Sequence, residues 1–190
     1  MKRFDQILLI LSFLAFSWLA MQAVHELGHV LGAVVSGGGV ERVILHPLVF
    51  SRTDVNPNPH PLLVVWMGPL IGGVLPLVAF LLAKVMRLPG LYLFRFFAGF
   101  CLIANGVYIA GGSLEGLADA GDMLRYGSST WQLILFGLVT APLGLYLWNG
   151  QGQNFGLDGS KGCVDRKATY VSLFLLILLV VVELVLFGKV

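Results

Sequence analysis

Five apolar runs, at roughly 6–35, 61–86, 91–111, 130–148 and 168–188, are separated along the chain by short polar stretches. A helix needs about 20 apolar residues to cross a bilayer, so each run predicts a membrane span. The second run contains Gly68-Pro69, Gly72-Gly73 and Pro76. Such residues are tolerated in a membrane helix where its neighbours satisfy the freed backbone groups, and they predict a kink there. Between the first two runs, Gly37-Gly38-Gly39 frees the chain from the helix. Val40 to Thr53 then reads as one or two short strands broken at Pro47, and Asn56-Pro57-Asn58-Pro59-His60-Pro61 ends them. This predicts a small hairpin at the membrane surface. The stretches Ser113 to Ser129 and Asn149 to Lys167 are expected as loops or short surface helices. The expected fold is an all-α polytopic membrane protein, a single domain over 1–190, with about five transmembrane helices and a small β-hairpin after the first.

Composition strengthens the membrane assignment. The 190 residues are 57% hydrophobic and 12% charged, with a mean hydropathy of +0.88. Soluble domains carry about a quarter of their residues as charged groups, so there is too little polar surface here to cover a globule in water. The net charge of +2 is scattered between apolar blocks. It offers no basic stripe for nucleic acid, and the lipid bilayer is the expected surrounding. Cys101 and Cys163 have no metal-ligand spacing and form no framework. Met1-Lys2-Arg3 precedes an apolar run with no small-x-small cleavage site, and the run is expected to be a retained first helix. Five spans place the termini on opposite sides. Lys2, Arg3, Lys84, Arg87, Arg95, Lys161, Arg166 and Lys167 share one side, against Arg42, Arg52, Arg125 and Lys189 on the other. That excess predicts a cytoplasmic N-terminus.

The chemistry concentrates in Val24-His25-Glu26-Leu27-Gly28-His29, an H-E-x-x-H motif inside a predicted helix. Histidines at i and i+4 project from one helix face, so two imidazoles can hold one zinc ion while Glu26 reaches a water beside it. The metal would acidify that water, and Glu26 would take its proton and pass it to a leaving amine. Chance, or a helix-packing network, is the bland reading. It is weakened because each ionisable group in a span costs about 2.5 kcal/mol or more. Gly28, Gly32 and Ser36 recur every four residues, as do Gly68 and Gly72. Small residues at that spacing let helices approach closely, here or in any membrane bundle. A catalytic zinc takes a third protein ligand. Glu115, Asp119 and Asp122 are the acidic candidates; Asp119 and Asp122 would share a helix face, so one could bind metal and the other orient a ligand. His46 and His60, each before a proline, read as surface residues. Asn105, inside the third run, could donate to a substrate carbonyl or oxyanion, or pack against another helix.

His25-Glu26-Leu27-Gly28-His29, the segment Gly37-Gly38-Gly39-Val40-Glu41-Arg42-Val43, Met67-Gly68-Pro69-Leu70 and a late acidic motif resemble the site-2 protease family, in particular its compact bacterial branch without a PDZ domain. The resemblance covers about residues 20–131. It implies an intramembrane zinc endopeptidase in a bacterial inner membrane, acting on membrane proteins or peptides. It also implies a metal-ligating aspartate near the third core helix. Ala118-Asp119-Ala120 is the nearest match, ahead of Asp122 and then Glu115. Gly72 stands where the family pattern has an asparagine, a departure that bears on substrate handling. Family members hold the metal toward the cytoplasm, whereas the charge count puts His25 and His29 nearer the other face. The hairpin is similar to a family element that holds extended substrate by strand addition.

The expected function is therefore intramembrane zinc metalloproteolysis, with His25, His29 and Asp119 on the metal and Glu26 as general acid/base. A regulatory membrane partner is compatible with it. Two alternatives stand beside it: a catalytically silent relative that binds a membrane partner, and a pathway for protons or metal ions. Glu26 argues against the first and the absence of internal symmetry against the second.

Overall fold

The computed structural model describes residues 2–157, 159 and 162–187. Helix α1 (Lys2–Val35) leads into β1 (Val40–His46) and β2 (Val49–Val55), followed by α2 (Pro61–Val85), α3 (Leu91–Glu115), the short α4 (Ala118–Arg125), α5 (Thr130–Trp148) and α6 (Arg166–Leu186). A 3-10 turn over Gly152–Phe155 precedes α6. Helices α1, α2, α3, α5 and α6 are each long and apolar enough to cross a membrane, so the chain is an integral membrane protein. The exposed positions of these helices carry large apolar side chains, such as Leu82, Leu138 and Phe174, as contact with lipid requires.

Several boundaries lie outside the apolar runs. Helix α1 starts at Lys2 and α6 at Arg166, because both carry a polar first turn that hydropathy does not count. Arg166 Nε donates to Asp5 Oδ2 at 2.9 Å, joining these two turns and fixing α6 parallel to α1. Helix α3 continues past 111 to Glu115 and stops at Gly116, whose left-handed φ of 66° caps it with a bond from its N–H to Gly112 O. Helix α2 runs from Pro61 to Val85 as one element, with Pro69 and Pro76 inside it. Lys161 and Lys189 of the charge count, and the last residue of the expected 168–188 run, lie outside the described residues.

Two interfaces position the site. Helix α1 packs on α2 through Gly28, where a Cβ would collide with the backbone carbonyl of Met67. Helix α3 packs on α5, with its backbone close to that of α5 at Gly99 and Gly144. Both contacts rely on small residues, because lipid offers no hydrophobic drive to pull helices together and close van der Waals approach must supply it. Strands β1 and β2 form an antiparallel pair turned at Pro47-Leu48, and both touch α1. Along β2, Arg52 and Asp54 face one way and form an ion pair, while Thr53 faces the other.

Candidate metal centre

His25 and His29 stand one helical turn apart on α1, with ring centroids 4.8 Å apart. Both are buried, at 6% and 7% exposure. Room for the two rings comes from Gly68 on α2. A Cβ there would stand 2.5 Å from His29 Nε2 and 2.8 Å from His25 Nε2, so any larger residue would fill the space the imidazoles share.

Asp119 reaches this pair from a distant point in the sequence. After the Gly116 cap, Ala118 takes a left-handed φ of 48°, unusual for a residue with a side chain. The chain turns back, and Asp119 enters the first turn of α4 facing α1. Its Oδ2 lies 2.8 Å from His25 Nε2 and 3.5 Å from His29 Nε2. Burial alone would push the Asp119 carboxyl up. Hydrogen bonds from His25 and His29 and the attraction of their charge outweigh it and hold the group well below the usual carboxylate range.

These three residues fit a divalent metal ion. One ligand atom from each lies within 4.8 Å of the others. Donor atoms about 2 Å from a zinc-like ion stand roughly 3.3 Å apart in a tetrahedron, close to the spacing of Asp119 Oδ2 from the two nitrogens. The outward side of each ring is already committed. His25 Nδ1 faces Asn105 Oδ1 at 2.6 Å, and His29 Nδ1 faces the carbonyl oxygen of Val64 at 2.9 Å. Both partners accept, so each Nδ1 carries a proton, and each Nε2, turned toward Asp119, is the nitrogen that would give up its proton to take a metal.

Glu26 lies beside the cluster at 4% exposure and accepts a hydrogen bond from Thr53 Oγ1 at 2.7 Å. Tyr108, one turn beyond Asn105 on α3, sets its ring edgewise to His25 at 5.9 Å and interacts with Asp119. The centre thus draws side chains from α1, α3, α4 and β2, around a carbonyl and a glycine of α2.

The other candidates fall outside it. Asp122 pairs with Arg125 on the exposed side of α4, at 3.1 Å, and Glu115 is exposed at the end of α3. Three residues apart on a helix is an offset of about 60°, and packing turns Asp119 onto the histidines while Asp122 stays at the exposed edge with Arg125. His46 Nδ1 accepts from Leu48 N within the hairpin turn, and His60 sits exposed at the start of α2. Asn105, expected as a substrate or oxyanion donor, is 1% exposed with both amide groups engaged, Oδ1 by His25 and Nδ2 by Cys101 O. Its place is behind a metal-ligand candidate. Gly72 makes this possible, since a Cβ there would fall 2.8 Å from both Asn105 amide atoms. Thr53, Val64 and Tyr108 went unrecognised in the sequence, whereas Gly68 was marked there as a small residue for close helix approach. Of those three only Tyr108 carried a signal, its spacing of three from Asn105 on one helix face.

A scan against protein-family models, a search of curated proteins and a search of solved structures each return no match.

Proposed function

We propose that this chain is an intramembrane zinc metalloendopeptidase of the site-2 protease type, in a bacterial inner membrane, cleaving peptide bonds in or near the transmembrane segments of membrane proteins. The observation that carries this reading is the convergence of His25, His29 and Asp119, from two places 90 residues apart, beside the carboxylate of Glu26. A purely structural site closes its coordination with four protein ligands, whereas three ligands and an adjacent base leave a position for chemistry.

His25, His29 and Asp119 would hold the ion, and Asn105 and the Val64 carbonyl fix the two imidazoles in the tautomer that offers Nε2. Zinc, when bound, supplies an acidified water and polarises the scissile carbonyl. Glu26 accepts the proton released as that carbonyl is attacked, then delivers it to the departing amine nitrogen. The paired strands provide backbone edges that an unwound substrate needs in a membrane, where an unbonded amide costs several kcal/mol.

The test is hydrolysis. Detergent-purified, zinc-supplied protein is mixed with a library of single-span helical peptides, and new termini are read by mass spectrometry. Cleavage by the wild type that falls by about 100-fold or more in Glu26→Gln, at equal metal content, is the expected result. Cleavage that persists in Glu26→Gln contradicts the assignment of the base. Absence of cleavage by zinc-loaded wild type favours the silent, partner-binding alternative.

A further inference from the structure

Glu26 has a hydrogen-bond partner that no sequence spacing suggests. Thr53 lies 27 residues away on β2, yet its hydroxyl meets Glu26 Oε2 at 2.7 Å. The hairpin holds it there: Thr53 pairs with Val43 on β1, β2 touches α1, and strand alternation turns Thr53 toward the helix while Arg52 and Asp54 face away. We infer that Thr53 is a positioning residue for Glu26, fixing one carboxylate oxygen so that the other faces the metal centre. The inference rests on the metalloprotease reading and deepens it.

Glutamate has three freely rotating side-chain bonds, and a catalytic group works only within about 0.5 Å of its productive place. Helix α1 fixes the Cα of Glu26, while its carboxylate lies three rotatable bonds further out. A single donor on Oε2 settles the remaining torsions and leaves Oε1 able to accept. Asn105 performs the same service for His25 from α3, so base and ligand are each oriented by a neutral side chain from another element. The hairpin thereby becomes part of the catalytic assembly as well as an edge for substrate. Leu48 in its turn and Phe50 on β2 are exposed, at the far end of the strand that bonds the base.

The test requires no substrate. Cobalt(II) is loaded into the detergent-purified full chain as wild type, Glu26→Gln, Thr53→Val and Thr53→Ser, and metal content and the visible absorption spectrum are recorded for each. Valine preserves the β-branched shape of threonine, and serine preserves the hydroxyl. The expected result is unchanged cobalt content in all four, with the Thr53→Val spectrum moved at least about half-way toward that of Glu26→Gln, as expected for loss of a carboxylate's fixed orientation. The Thr53→Ser spectrum should stay with the wild type. If wild type and Glu26→Gln differ while Thr53→Val matches the wild type, the inference is overturned and the metalloprotease reading stands. A Thr53→Ser spectrum that moves with Thr53→Val also overturns it, because the hydroxyl would not be the operative group. Identical wild-type and Glu26→Gln spectra overturn the inference alone, since the carboxylate would not be held against the metal, whereas no cobalt band in the wild type removes the metalloprotease reading and this inference with it.

Discussion

Asn105 decides which nitrogen His25 can offer. Its Oδ1 accepts from Nδ1, and without it the ring is free to turn or change tautomer. Asn105→Ala is expected to weaken metal binding about 10- to 100-fold, the usual cost of losing a group that orients a ligand, as measured by competition with a chelating dye. The motif was legible at this scale because i and i+4 on a helix are neighbours by geometry alone. The role of Asn105 was not, since its partner lies 80 residues away and only the packing of α3 joins them.

The five spanning helices could be read from hydropathy, and the hairpin from glycine, proline and β-branched residues. Their polar ends could not, because the first turns of α1 and α6 are settled by the Asp5–Arg166 pair, a tertiary contact. The turn from α3 into α4 was equally hidden. A left-handed Ala118 is not a residue preference, yet it brings Asp119 back over α1. Packing of α1 on α2 is the element-scale feature the site depends on most. Gly28 faces Met67, and His29 meets the carbonyl of Val64 on the same helix. Gly28→Val should force the helices apart at a cost of about 1–3 kcal/mol. The expected outcome is a lower unfolding temperature in detergent together with loss of metal, whereas a variant that keeps both would show that this contact does not hold the site.

Within the whole molecule the centre lies far along α1. His25 is eighteen residues beyond Ile7, about 27 Å up the helix axis at 1.5 Å per residue. Val64 and Gly68, which meet the imidazoles, lie in the first turns of α2, so the cluster stands toward the end of the bundle opposite the N-terminus. The same end holds the hairpin, the start of α2 and the exposed face of α4. The charge count and the family resemblance disagree about which compartment this is, and the chain carries its own probe. Cys163 is exposed in the loop before α6, at the N-terminal end of the bundle, while Cys101 is buried. If positive charge sets the orientation, a membrane-impermeant maleimide added to intact cells leaves Cys163 unlabelled until the membrane is opened. Labelling of Cys163 in intact cells would place the metal centre toward the cytoplasm instead.

The most direct test of the central claim is the metal content of the detergent-purified chain by elemental mass spectrometry, for wild type, His29→Ala, Asp119→Ala and Asp122→Ala. About one zinc per chain is expected in the wild type and in Asp122→Ala, with His29→Ala and Asp119→Ala losing most of it. A wild type that takes up no metal when zinc is supplied, or an Asp119→Ala chain that keeps its full complement, would contradict the account.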